Sequence, residues 1–263
     1  MRWLREALRG LPAYLWSGWG AVASLCLLLA AWEAAALPLG PLILPGPGDA
    51  FATLAALIAR GQAWPELAIS AQRALAGLGA ALVVGAALGL LAGRFLTTAV
   101  IARPLLTLML GMPPIAWLVL AMLWFGSGHA TPVFTVFIAT VPIVFAGALQ
   151  GMRTLDAQYR ELAQAFRLRW PQRLSDIVLP HVAAHLFPAA ITALGTAWKV
   201  VVMAELLVTV DGVGAALASA RTQLDTAATL AWISALLALL LAVEYGVLEP
   251  VRREVERWRE APG

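Results

Sequence analysis

The sequence predicts an all-α, polytopic membrane protein with about six transmembrane helices. Its mean hydropathy is +0.82, and 61% of its 263 residues are hydrophobic while only 13% are charged. A soluble domain carries about 25% charged residues, so lipid is the expected solvent for most of this chain. A helix needs roughly 20 apolar residues to cross about 30 Å of hydrocarbon. The length therefore leaves room for about six spans with modest loops in one membrane domain.

The charge pattern supports a membrane topology over nucleic-acid binding. A net charge of +3 arises from 18 Lys and Arg against 15 Asp and Glu. The arginines are spread over short loops between apolar runs, where they set orientation. The single cysteine, Cys26, lies in the first apolar run, so the chain cannot form an intramolecular disulfide.

The N-terminal segment, residues 1–18, is predicted to be an amphipathic helix in the cytoplasmic interface. Leucines at positions 4, 8, 11 and 15 share one helical face, and arginines at 2, 5 and 9 lie elsewhere. The six-span domain, 19–250, begins with an uncleaved span at 19–37. Prolines at 38, 41, 45 and 47 then break the helix, and a short amphipathic helix is expected to run to about Ala59. A charged cytoplasmic tail is predicted at 251–263.

Five further apolar runs predict the remaining spans. Span two carries glycine at positions 77, 79, 85, 89 and 93, which provides a small-residue face for close packing against another helix. The five predicted spans lie at about 74–93, 104–125, 131–152, 184–208 and 227–248.

Span three is interrupted by Met112, Pro113 and Pro114. The prolines remove backbone donors, so neighbouring protein or a cavity has to accommodate the break. These three residues are therefore candidates for a translocation path or its gate.

The positions of lysine and arginine predict that both termini are cytoplasmic, because cytoplasmic loops carry the excess of these residues. With the N-terminus inside, only Arg60, Arg73 and Arg221 fall outside, and all other arginines fall inside. Lys199 lies within span five. The charged loop 153–182 between spans four and five is therefore cytoplasmic.

Residues 161–180 of that loop form a charged, amphipathic stretch in a largely apolar chain. On a helix, Leu162, Ala165, Phe166 and Arg169 lie close to one face and present an apolar and basic surface. Such a surface suits docking to a soluble partner, although an ordinary amphipathic loop helix has the same pattern. Pro180 is expected to end this helix ahead of span five.

Lys199 and Glu205 are ionisable residues at membrane depth, where such groups usually face protein or water and mark a pathway. They are further candidates for the translocation path or gate. Six residues apart on a helix, they do not share a face and are not expected to pair with each other. The alternative is that Glu205 is solvated at the outer end of span five and that Lys199 pairs with another helix.

Other chemistries find little support. His181 and His185 have the spacing of two zinc ligands, but Val182 stands where an H-E-x-x-H motif needs its glutamate. No G-x-S-x-G motif occurs. A Walker A loop needs Gly-Lys-Ser/Thr, and the only lysine, Lys199, follows Trp198. No catalytic or metal-binding residue is predicted, and energy from ATP has to enter through a partner.

Several stretches match one family of proteins. They are L-P-G-P-G-D at 44–49, S-A-Q-R-A-L-A-G-L at 70–78, M-P-P-I-A-W at 112–117, L-W-F-G at 123–126, A-W-K-V-V-V-M-A-E-L-L at 197–207 and G-V-G at 212–214. In addition, Glu161, Ala163 and the Leu179-Pro180 pair have the spacing of the EAA cytoplasmic loop. Together these stretches resemble the permease subunits of binding-protein-dependent ABC importers, in the nitrate, sulfonate and taurine branch. The resemblance extends from about Leu42 onward.

The resemblance implies a type I ABC importer permease fold and a transport subunit that is not an enzyme. It implies a homodimer in the lipid of the bacterial inner membrane, with two cytoplasmic ABC ATPase subunits and a periplasmic solute-binding protein. The chain itself is expected to hold no cofactor, since the ATPase partner binds ATP and Mg, and to bind no nucleic acid. The residues implied to couple to the ATPase are Glu161, Leu162, Ala163, Ala165, Phe166, Arg167, Arg169, Leu179 and Pro180.

The resemblance suggests a small solute such as nitrate, taurine or an alkylsulfonate, although similar permeases also carry vitamin precursors. Two other functions remain as alternatives. One is an ion-coupled secondary transporter that uses Lys199 and Glu205, and the other is an intramembrane hydrolase.

One position departs from the family pattern. Six residues after Glu161 the pattern usually has glycine, and this chain has Arg167. The coupling helix is therefore expected either to turn differently or to meet an acidic patch on a matched ATPase.

Overall fold

The computed structural model describes residues 23–155, 163 and 165–243, and these residues contain helices and turns but no strand. The all-α fold that the sequence predicts is confirmed. The helices are α1 Ala23–Leu39, α2 Pro47–Ala59, α3 Ala63–Arg94, α4 Leu96–Gly111, α5 Pro114–Phe125, α6 Ala130–Arg153, α7 Trp170–Arg173, α8 Leu179–Val208, α9 Val213–Thr222 and α10 Thr226–Val243, with a π-helical turn at Leu174–Val178 between α7 and α8. The predicted N-terminal helix and C-terminal tail lie outside the described residues.

Among the described residues, four helical stretches are long and apolar enough to cross a membrane: α3, α6, the continuous run Pro171–Val208, and α10. The bent pair α4 and α5 makes a fifth if it is one span. The predicted first span, 19–37, corresponds to α1, a shorter apolar helix. Residues 19–22 of that span lie outside the described part of the chain. The protein is therefore a multi-pass membrane protein, and the count of six spans stays a prediction.

The centre of the molecule is a row of three helices, with α6 between α3 and α8. Glycines on α3 allow the first contact, because a Cβ on Gly89 would lie 2.6 Å from the Cβ of Ala148 on α6. Gly77, Gly85 and Gly93 face α6 in the same way, whereas nothing lies within 4 Å of a Cβ placed on Gly79. Four of the five predicted glycines thus form the close-packing face, and Gly79 does not.

Span two is longer than the sequence predicts. Helix α3 begins at Ala63 rather than near position 74, and its 32 residues extend about 48 Å. Its first turns therefore reach beyond about 30 Å of hydrocarbon. As a result Arg73, which the topology places outside the membrane as a loop residue, lies instead within a helix and is fully buried.

The interruption of span three is larger than a kink. Helix α4 begins at Leu96, earlier than predicted, and keeps Pro104 within it. It ends at Gly111, and α5 starts at Pro114 after a bend of 92°. The break therefore falls at the three residues that the sequence indicates, but it turns the chain through a right angle.

Pro180 does not end the helix of the coupling loop, contrary to expectation. The helix runs on from Pro171 to Val208, and Pro180 is the second residue of α8. A π-helical turn comes just before it, in which the N–H of Leu179 bonds to the carbonyl of Leu174. This local change of hydrogen-bond register lets the helix continue through a residue without an N–H.

Candidate functional site

A polar cluster with Ser70, Arg73 and Glu205 buried at its centre joins α3, α8 and the start of α9. We call Glu66, Ser70, Arg73, Glu205 and Asp211 the Arg73 cluster. The guanidinium of Arg73 donates from Nη1 to Glu205 Oε1 at 2.9 Å and to the Asp211 carbonyl at 2.9 Å. It also forms an ion pair with the Asp211 carboxylate. Its Nε donates to Nδ1 of His129 at 3.1 Å, so that His129 nitrogen is an acceptor.

The cluster also caps helix α9. The first N–H groups of a helix have no partner within the helix, and negative charge near them is favourable. Here the N–H of Gly212 donates to the Glu66 carboxylate, and the N–H of Val213 donates to Ser70 Oγ at 2.9 Å. The N–H of Gly214 donates to Glu205 Oε2 at 3.1 Å, and Ser70 Oγ donates to that same oxygen at 2.6 Å. Two other helices therefore supply the cap that α9 lacks in its own sequence.

Two glycines make this close approach possible. A Cβ on Gly212 would lie 2.5 Å from the carboxyl carbon of Glu205, and Gly212 has a φ of 95°, which other residues rarely adopt. A Cβ on Gly214 would lie 2.4 Å from the carbonyl oxygen of Val202. The G-V-G stretch is thus required by the packing of α9 against Glu205.

The cluster was not predicted as a site. Among its members, only Glu205 is a site residue predicted from sequence, and the predicted topology places Arg73 outside. The available signal was that three motif stretches, at 70–78, 197–207 and 212–214, each contribute residues to it. Their convergence in space shows that they are parts of one structural unit.

Glu205 and Lys199 have different surroundings on α8. Glu205 is 0% exposed and pairs with Arg73, so the alternative of a solvated carboxylate is wrong. Lys199 is exposed, and no residue in the described ranges forms an ion pair with it, so the alternative of a structural partner is not supported either. The two do not pair with each other, as their spacing predicts. Their role in a translocation path stays a prediction.

The other path candidates lie at the right-angle bend. Met112 follows the last residue of α4 and is 39% exposed. Pro113 precedes α5, and Pro114 is its first residue, where a missing N–H costs no hydrogen bond. These residues lie at an exposed break between two apolar helices, and their role in a translocation path or gate stays a prediction.

We call residues 161–180 the coupling segment. The structure describes it in part, because Glu161 and Leu162 lie outside the described residues. Ala163 is buried, whereas Phe166 is 72% exposed. Ala165, Arg169, Leu179 and Pro180 are exposed as well. The segment therefore presents an aromatic side chain and basic groups on its surface. Its contact with an ATPase stays a prediction.

Arg167 has a left-handed backbone conformation, with a φ of 46°. The N–H of Leu168 bonds to the carbonyl of Ala163 at 2.9 Å, which is the hydrogen bond of a Schellman helix end. Arg167 thus takes the conformation that glycine favours at such a turn. For a residue with a side chain this conformation costs about 1–2 kcal/mol.

The histidine pair lies against a threonine hydroxyl. Nε2 of His181 and Nε2 of His185 each lie 3.2 Å from Thr154 Oγ1, at the end of α6. Within the described ranges no group of three or more His, Cys, Asp or Glu side chains could hold a metal ion. The pair therefore links the end of α6 to α8.

Comparison with known proteins identifies the family. Residues 81–250 match the family model described as binding-protein-dependent transport system inner membrane component. The taurine transport system permease protein TauC of Escherichia coli is 29% identical over 88% of this chain and 86% of its own length. The putative aliphatic sulfonates transport permease protein SsuC of Bacillus subtilis is 29% identical over 83% of this chain and 79% of its own length. The nitrate import permease protein NrtB of Synechocystis is 27% identical over 57% of this chain.

The family match covers well over half of the chain. It begins within α3, after Arg73, and includes α6, α8, α9 and α10. The secondary transporter and the hydrolase are both set aside by this match. The chain belongs to the family of inner membrane components of binding-protein-dependent transport systems, and it is an ABC importer permease, a transport subunit and not an enzyme.

Proposed function

We propose that this permease imports a small anion across the bacterial inner membrane as one of two identical copies, with both termini in the cytoplasm. Two cytoplasmic ABC ATPase subunits, which bind ATP and Mg, supply the energy through the coupling segment. A periplasmic solute-binding protein delivers the solute. The observation that carries the anion assignment is the exposed cation Lys199 on α8.

Lys199 is part of a polar stripe on an otherwise apolar helix. Thr192 and Lys199 are exposed, Thr196 is half-buried between them, and a Cβ on Gly195 would meet nothing within 4 Å. Both threonine hydroxyls donate to carbonyls one turn earlier, at 3.1 and 2.9 Å. The opposite face of α8 packs into the core through Ala193, Ala197, Val200, Val201 and Ala204.

Lipid is a poor neighbour for this stripe. A lysine facing the middle of the hydrocarbon costs about 2.5–3.5 kcal/mol, so ionisable side chains in membrane helices usually face protein or a water-filled cavity. A second copy related by a two-fold axis would present the same stripe to the first. Two lysines around one aqueous path would then raise the local concentration of anions.

The similar permeases support the same class of solute. The names of the three relatives given above refer to taurine, aliphatic sulfonates and nitrate, and the proteins share up to 29% identity with this chain. A sulfonate or nitrate group carries a negative charge that a lysine ammonium attracts. Both the relatives and the stripe therefore favour an oxyanion over a cation.

The test is uptake by the complete transporter in proteoliposomes. The permease is reconstituted with its own ATPase and binding protein, and uptake of taurine, ethanesulfonate, nitrate and bicarbonate is measured. We expect ATP-dependent uptake of at least one of these solutes. Lys199→Arg should retain this uptake, and Lys199→Met should reduce its rate about tenfold or more. A tenfold reduction corresponds to an increase of about 1.4 kcal/mol in the activation barrier.

Thr222→Lys, on the exposed end of α9, is the control that adds a charge elsewhere. Uptake of only solutes that carry no sulfonate, nitrate or carboxylate-type anionic group, or an unchanged rate of uptake of these solutes in Lys199→Met, would overturn the anion assignment.

A further inference from the structure

We infer that Arg167 recognises an acidic side chain in the docking cleft of the cognate ATPase and so selects that ATPase, an inference that rests on the proposed function. The starting observation is its backbone. Arg167 and Leu224 are the two residues other than glycine with positive φ among the described residues. Strain of this kind persists where function requires the side chain.

Glycine would form the same turn without strain. The position is the one after the end of the coupling helix, where glycine is strongly preferred because it has no Cβ. The hydrogen bond from Leu168 to Ala163 shows that the backbone geometry of this turn is fully formed. Arginine therefore adds nothing to the turn itself, and the reason for its presence lies in its side chain.

The described surroundings give that side chain no internal role. Arg167 is exposed, and neither of the two ion pairs shown among the described residues involves it. The guanidinium is thus placed on the surface of the segment.

The adjacent residues make this surface a protein-binding one. Phe166 is 72% exposed next to Arg167, and Arg169 is exposed on the other side. An exposed aromatic ring flanked by arginine is the composition enriched at the centres of protein interfaces. A guanidinium binds a carboxylate through two parallel hydrogen bonds, which fixes orientation as well as charge.

The expected partner is therefore an ATPase whose cleft holds an aromatic ring and, beside it, an Asp or Glu. An ATPase without that carboxylate would leave the arginine desolvated and unpaired, which disfavours binding. Arg167 in this way discriminates between ATPases that would accept the same helix.

The decisive variant is Arg167→Gly, because it relieves the backbone strain while removing the side chain. We measure the dissociation constant between the purified permease and its ATPase in nanodiscs, together with the melting temperature of the permease alone. We expect an unchanged or higher melting temperature and a dissociation constant about tenfold larger. Arg167→Lys keeps the charge but loses the planar guanidinium. Its dissociation constant is expected to lie between those of the unsubstituted permease and Arg167→Gly.

Two controls separate the possible outcomes. Arg221→Gly, an exposed arginine at the end of α9, should leave the dissociation constant unchanged. Phe166→Ala tests docking by the segment itself. If Phe166→Ala weakens binding and Arg167→Gly does not, the present inference is wrong while the docking function stands. If neither weakens it, docking by this segment fails as well.

A charge exchange identifies the partner atom. Arg167→Glu should weaken binding further, and substitution of one acidic residue in the ATPase cleft by arginine should restore it. If no such substitution restores binding, the inference is overturned. It is also overturned if the effect of Arg167→Gly disappears in nanodiscs without anionic lipid, because Arg167 then serves the lipid surface.

Discussion

Glu205 shows how one residue can be read in two ways from sequence. A carboxylate in an apolar helix indicates a pathway, yet here it accepts hydrogen bonds from Arg73, Ser70 and the N–H of Gly214. Arg73 and Glu205 are separated by 132 positions in the chain. Hydropathy and spacing describe only near neighbours, so neither could predict this pairing.

Removing the charge of Glu205 should therefore destabilise the protein. Glu205→Gln leaves the buried guanidinium of Arg73 with only Asp211 as a charged partner, and breaking a buried ion pair costs about 3–5 kcal/mol. We expect a clear fall in the melting temperature of the permease in detergent. Glu33→Gln, which changes an exposed carboxylate, is the matched control. An equal melting temperature for both variants would contradict the role of the Arg73 cluster.

At the scale of helices, the sequence predicts most elements because long apolar runs are sufficient to locate them. The prediction for span four, 131–152, differs from α6 by one residue at each end. Helix α9 escapes prediction, since its ten residues are mostly small and its N-terminal cap comes from Ser70, Glu66 and Glu205. A helix stabilised by residues of other helices leaves little trace in its own sequence.

The glycine face of α3 provides a test at the level of helix packing. Gly89→Ala places a Cβ 2.6 Å from Ala148 Cβ and 2.7 Å from the carbonyl oxygen of Phe145. Overpacking of this kind typically costs about 1–3 kcal/mol. Gly79→Ala, on an open part of the same helix, should stabilise by about 0.5–1 kcal/mol, because alanine is the better helix former.

Thermal unfolding of both variants in the same detergent makes the comparison. Equal shifts for Gly89→Ala and Gly79→Ala would show that close packing of α3 on α6 does not limit stability.

At the scale of the whole molecule, one continuous helix connects the coupling segment to the core. Its 38 residues, Pro171–Val208, extend about 57 Å and carry both Lys199 and Glu205. Movement of its N-terminal end is therefore transmitted to the polar stripe without a loop between them. The π-helical turn at Leu174–Val178 changes the hydrogen-bond register of this run, and the sequence rule for Pro180 does not predict it.

Disrupting the coupling segment should abolish transport without preventing membrane insertion. Glu161→Lys combined with Ala163→Asp reverses one charge and introduces a carboxylate at a buried position, so the docking surface is lost. We expect normal amounts of permease in the membrane and no ATP-dependent uptake in vesicles. Retained uptake by the double variant would count against the docking assignment.

The distance in sequence between Arg73 and Glu205 has a consequence for biogenesis. A ribosome completes α3 long before it reaches α8, so the guanidinium is synthesised well before its two ion-pair partners, Glu205 and Asp211. Until α8 follows, the nascent protein has to keep that cation near water or lipid phosphates. The Glu205 carboxylate then neutralises this cation once α8 is inserted. The final packing of α3 therefore takes place during the last third of translation.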